Sequence, residues 1–119
     1  MNSPTPETYV SDFLEDKKRT DLQKWQIWDE SYQGRQISWC GELHQCHKDS
    51  DHITVSVLIH AKGGELLILE VDLPLSEKEN LLSFHVGDYV RVTGVLKRPY
   101  SDHGYRISVI KKDARISHA

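Results

Sequence analysis

The chain has 119 residues, of which 28% are charged and 38% apolar, with a formal net charge of −3. That is the composition of an ordinary folded domain, long enough to bury a core without disulfide or metal staples. It excludes a disordered or fibrous chain, and apolar runs such as Leu66–Leu69 are far too short to span a bilayer.

Charge is unevenly placed. Residues 1–86 hold 8 Lys/Arg against 15 Asp/Glu, whereas residues 87–119 hold 7 against 3. A basic C-terminal third suits an anionic partner. Cys40 and Cys46 do not make a disulfide framework, and "MNSPTPETYVSDF" lacks a basic region followed by an apolar run. The expectation is a cytoplasmic chain with no signal peptide and no membrane association.

Residues 1–34 read as an N-terminal helical extension. Ser3 or Thr5 can cap a first helix with Pro4 or Pro6 in its first turn, and Tyr9, Val10, Phe13 and Leu14 share one face. A second helix begins near Thr20 or Asp21. In it Leu22, Trp25, Trp28 (or Ile27) and Tyr32 repeat at helical spacing, and Gly34 stops it. This aromatic face is expected to pack against the rest of the domain. The alternative is a partner surface built on Trp25 and Trp28, because Trp and Tyr favour interfaces.

From Ile37 the period becomes two. "ISWCGELHQC" turns Ile37, Trp39, Gly41 and Leu43 to one face and Ser38, Cys40, Glu42, His44 and Cys46 to the other. After the polar turn "HKDSD", "HITVSVLIH" alternates with Ile53, Val55, Val57 and Ile59 inward. "AKGGE" supplies hairpin glycines and "LLILEVD" returns as a third strand. In "PLSEKENLLSF", Ser76 and Glu79 form a capping signature for a short helix with Leu81, Leu82 and Phe84 as its apolar side. "VGDYVRVTGVLKR" is a fourth strand, "PYSDHG" a loop and "YRISVIKK" a fifth strand, with Tyr105 in register with inward Ile107 and Val109.

Three strands, a short helix and two more strands is the order of the OB-fold, a five-stranded Greek-key barrel. "SWCGEL" resembles the first strand of such domains and "FHVGDYVRVTGVLK" the turn that opens the fourth. Gly41 and Gly94 are costly inside strands unless a bulge or sharp bend needs them, which argues for closure into a barrel rather than a flat sheet. More narrowly, "TDLQ…YQGRQISWCGEL…FHVGDYVRVTGVL" resembles the bacterial OB-fold domains grouped as tRNA_anti-like, over about residues 20–112. The expected architecture is therefore all-β. It is a five-stranded OB-fold Greek-key barrel over residues 35–116, with the helical extension and a short helix between strands 3 and 4, in one compact domain.

Among the resemblance's implications, single-stranded nucleic acid binding finds its best local support in "KRPYSDHGYR". Lys97, Arg98, Tyr100, His103, Tyr105 and Arg106 interleave cations with aromatics, which pair phosphates and stack bases. Arg91, Lys111, Lys112 and Arg115 can extend the patch. The usual OB ligand face on strands 2 and 3 offers Thr54, Ser56 and Leu58 without an aromatic, and Glu70 and Asp72 repel phosphate.

Metal binding has a narrower basis. Cys40 and His44 are four residues apart on one strand face, about 13 Å at strand rise, too far for one ion. Cys46, His47 and His52 can converge across the turn with Asp49 or Asp51, although C-x5-C matches no usual zinc spacing. No phosphate loop, nucleophile elbow or paired-carboxylate motif is present, so no enzyme and no cofactor is expected. The sequence reads as a non-catalytic binding module for single-stranded DNA or RNA of low sequence specificity. The alternative is a protein-interaction or oligomerisation module using the Trp-rich helix.

Overall fold

The computed structural model describes residues 3–99, 104–109 and 114–119. Its strands are β1 (Gln36–Lys48), β2 (His52–His60), β3 (Leu66–Pro74), β4 (Tyr89–Val95), β5 (Arg106–Val109) and β6 (Arg115–His118). They form one sheet in the order β5-β3-β2-β1-β4-β6. Period-two alternation produces this directly. β2 buries Ile53, Val55, Val57 and Ile59, and β3 buries Leu67, Leu69, Val71 and Leu73, while the residues between them face out. Gly63 and Gly64 take φ of 94° and 91° in the hairpin turn, a region that side chains rarely adopt.

β1 serves two partners. Its first part, Gln36–Glu42, pairs antiparallel with β4, and its second part, Glu42–Lys48, pairs antiparallel with β2. The register slips between Leu43 and Gln45, the signature of a bulge at His44. Ile37, Trp39, Gly41 and Leu43 are all buried, as the alternation predicts. A Cβ at Gly41 would collide with the Leu58 carbonyl oxygen and come within 2.8 Å of Val57 Cγ1 and 2.9 Å of Ile59 Cγ1. Glycine is needed there because β2 crosses so close.

The expected five-stranded closed barrel is corrected in two respects. Among the described residues there are six strands, and the sheet is not closed. β5 runs parallel to β3, and β6 lies antiparallel to β4 over Val90–Thr93. β6 takes that edge of β4 and, among the described residues, β5 meets the residues beyond it, through the isolated bridge Leu96–Val109 and the Lys97 N–H donating to Ser108 O at 2.7 Å. β6 escapes sequence reading because four residues with one buried apolar side chain, Ile116, leave no alternation to detect. The remaining order, three antiparallel strands, a short helix, β4 returning to β1 and β5 beside β3, is OB-fold-like.

The extension folds as α1 (Pro6–Tyr9), a π-helical stretch over Val10–Glu15, and α2 (Asp21–Ser31). Thr5 caps α1 in a reciprocal box with Thr8, and Thr20 caps α2 with Gln23. Tyr9, Val10, Phe13, Trp28 and Tyr32 are buried in the same core as the strands. Phe13 and Tyr32 meet edge-on at 5.0 Å, and Trp28 stacks on Tyr32 at 5.4 Å and 7°. The Tyr32 hydroxyl donates to Asp12 Oδ2 at 2.8 Å, and burial pushes its pKa well above the ordinary tyrosine value. Leu22 departs from expectation: it is 79% exposed, because it sits in the first turn of α2, ahead of the part that reaches the core.

Hydrogen bonds stitch the extension to the rest of the domain, among them one from Lys62 N–H in the β2–β3 turn to Glu7 Oε2 at 3.2 Å. Trp39 Nε1 donates to Pro4 O at 2.8 Å, and the Tyr9 hydroxyl donates to Gly104 O at 2.7 Å. Between β3 and β4 a 3₁₀ turn, Leu75–Glu77, runs into α3 (Lys78–Leu81). The expected Ser76–Glu79 capping box does not form, because Ser76 lies inside the 3₁₀ turn rather than ahead of the helix. Leu81 and Phe84 are buried as expected, but Leu82 is exposed. The Phe84 ring stacks on His118 with centroids 4.2 Å apart, tying this connection to β6. Among the described residues, no helix is long and apolar enough to cross a membrane.

Candidate nucleic-acid interface

Lys97 and Arg98 continue straight out of β4, and both are exposed. The Lys97 backbone is fixed by its hydrogen bond to Ser108 of β5. The Arg98 guanidinium carbon lies 4.3 Å from the centroid of the Trp25 ring, over its face. Arg106 opens β5 and is exposed, its Nη1 2.8 Å from Glu70 Oε1 on neighbouring β3. Tyr105 is 48% exposed rather than core-facing, because β5 starts one residue later and Tyr105 occupies the bend before it. Lys97 and Arg98 thus follow β4, Tyr105 and Arg106 stand at the start of β5, and Trp25 of α2 meets Arg98.

The other sequence candidates fall elsewhere. Arg91 sits in β4 between Cys40 and Ser117, with Nη1 3.4 Å from Ser38 Oγ, on the β1–β4–β6 face. Arg115 pairs with Thr93 in the same β4–β6 ladder. Tyr100, His103, Lys111 and Lys112 lie outside the described residues. Trp28 is fully buried, its Nε1 donating to Gln33 Oε1 at 2.8 Å, so it presents no surface to a partner. Trp25 is only half-buried.

The outward face of β2 and β3 carries its own charge balance. Thr54 donates to Asp72 Oδ1 at 2.9 Å, and Glu70 is paired with Arg106. Both residues line a cleft of about 200 Å³ together with His52, Lys97 and Ser108. His52 sits among three carboxylates: Nδ1 is 2.6 Å from Asp51 Oδ1, and Nε2 is 3.2 Å from Asp49 and 3.8 Å from Asp72. Its pKa is raised, first by the hydrogen bond to Asp51 and then by the charges of Asp72, Asp51 and Asp49. His47 reaches Asp49 at 3.6 Å. Cys46 does not join them. As the strand neighbour of His47 it faces the other way, into a cleft with Ile53, Leu81 and Leu82. Among the described residues, no group of three or more His, Cys, Asp or Glu side chains is arranged to hold a metal ion.

A larger groove, about 570 Å³, runs between the N-terminal segment and β1 and β4, past Ser38, Cys40, His60 and Tyr89. Among its described lining residues there is no Lys or Arg, and Glu7 adds negative charge. Arg91 and Arg115 stand beside it, next to the lining residues Ser38 and Thr93.

Sequence reasoning treated the basic loop and the Trp-bearing helix as rival sites, and the fold brings them together in the Arg98–Trp25 contact. No local pattern signals this, since the two residues belong to distant elements. The Arg106–Glu70 pair was equally hidden, because the parallel β3–β5 alignment is set by topology.

No protein-family model and no curated protein matches the chain. Among solved structures, it is similar to a chain of the S. pombe Stn1-Ten1 complex, at 16% identity and a TM-score of 0.50. That match covers 71% of this chain and only 59% of the other. It is also similar to the S. cerevisiae mitochondrial single-stranded DNA binding protein Rim1, at 16% identity and a TM-score of 0.50, covering 68% of this chain and 92% of that one. At this identity the likeness is one of fold, and it places the chain among OB-fold-like β proteins.

Proposed function

We propose that this chain is a non-catalytic module that binds single-stranded nucleic acid, DNA or RNA, with low sequence specificity. The observation that carries the reading is the contact of Arg98 with Trp25, beside Lys97, which shares a cleft with Glu70, the partner of Arg106. Single strands are held by cations that track phosphates and by rings on which bases stack. The fold is shared with a protein named for binding single-stranded DNA, and the basic C-terminal third supplies the charge. Free thiols at Cys40 and Cys46 fit a reducing compartment such as the cytoplasm. The finer kinship, with tRNA_anti-like domains, rests on the motif resemblance alone.

Titration of labelled oligonucleotides at two salt concentrations tests this. Binding is expected at low salt and should weaken steeply as salt rises, because phosphate contacts release counterions. Replacing Lys97 by Ala should reduce the slope of log K against log salt by about 1. Absence of micromolar-range binding even at low salt overturns the proposal.

A protein partner is the second reading. It is favoured by exposed apolar side chains remote from the cationic end, Leu82, Val86 and Tyr89 at 65%, 73% and 62%. Light scattering separates the two: a mass above the monomer without oligonucleotide binding supports association of the chain with itself.

A further inference from the structure

We propose that Arg98 and Trp25 form a composite stacking shelf, in which the guanidinium plane takes a nucleobase and Trp25 is the residue that positions it. The inference rests on the nucleic-acid reading and assigns the base-recognising element within it. An exposed arginine at a strand end normally samples many rotamers. Here the guanidinium carbon lies over an indole face, 4.3 Å from the ring centroid, a cation–π contact that restricts the side chain. A guanidinium held flat is a platform on which an unstacked base lies, and its N–H fork reaches phosphate at the same time.

The indole beneath is anchored. One turn on, Trp28 is fully buried and stacked on Tyr32, and α2 starts from the Thr20–Gln23 capping box. On the Arg98 side, the Lys97 N–H next to it donates to Ser108 O at 2.7 Å, which fixes the chain at the base of the side chain. The backbones that carry Trp25 and Arg98 are thus each held within ordered elements. The base faces of a duplex are already stacked, so the shelf selects single strands.

The full chain is titrated with oligo(dT) and with an abasic strand of the same length, comparing wild type, Arg98→Lys and Trp25→Leu. Arg98→Lys keeps the charge and loses the plane. It should weaken oligo(dT) binding on the order of tenfold, as loss of one stacked base does, with little change for the abasic strand and an unchanged salt slope. Trp25→Leu should show the same pattern. If Arg98→Lys weakens both strands equally, or neither, the shelf is overturned while the nucleic-acid reading stands. If wild type binds neither strand at low salt, both fall. Arg98 is exposed, so its arm of the test does not depend on whether the Trp25 variant folds.

Discussion

His52 shows how a single proton is read by the folded chain. Asp51, Asp49 and Asp72 surround the ring, and Thr54, Glu70, Lys97 and Ser108 share its cleft. The carboxylates favour the protonated ring only when the chain is folded, so the folded pKa lies above the unfolded one. The stabilisation is therefore fully present below about pH 6.5 and is lost as pH rises through the raised value. Denaturation of wild type and His52→Gln, followed by circular dichroism from pH 5.5 to 8.5, should show wild type ahead at the acid end and the gap closing toward the alkaline end. A gap independent of pH would mean that His52 acts by packing alone. The same proton makes this rim of the β2–β3 face less negative, so phosphate is tolerated better at acid pH.

At the scale of elements, β1 depends on one glycine. Gly41→Ala forces a methyl group against the Leu58 carbonyl and the Val57 and Ile59 side chains. It should cost about 1–3 kcal/mol, the usual range for overpacking, read as a lower urea midpoint with an unchanged m-value. A variant as stable as wild type would show that β2 can move aside. This strand was legible in the sequence, because the alternation of Ile37, Trp39, Gly41 and Leu43 is local and strict. The helix caps at Thr5 and Thr20 were legible for the same reason. What could not be read was non-local or too short. β6 has four residues, its pairing with β4 joins residues more than twenty positions apart, and the π-helical stretch over Val10–Glu15 carries no local pattern of its own. The site divides likewise. Arg98 could be nominated from its cationic neighbours, whereas its partner Trp25 is fixed only when α2 docks.

Across the whole molecule, the electrostatics oppose the proposed ligand except at one end. The net charge is −3, and Glu70 holds Arg106 in a pair that withholds part of its charge from a phosphate. Glu70→Gln should therefore tighten oligonucleotide binding several-fold at low salt, with the two proteins converging as salt rises. Unchanged affinity at low salt would place Arg106 outside the interface. The shared strand β1 has a further consequence, for the order of assembly. Its ladder with β2 closes across a short turn, whereas its ladder with β4 joins residues tens of positions apart. On a growing chain, β1–β2–β3 can zip while β4 is still unmade, leaving Gln36–Gly41 as a bare edge of the kind that nucleates aggregation. The N-terminal segment is synthesised earlier still, and its Pro4 carbonyl already offers Trp39 a hydrogen bond beside that edge. The extension thus has its first contact on a strand whose second partner arrives late.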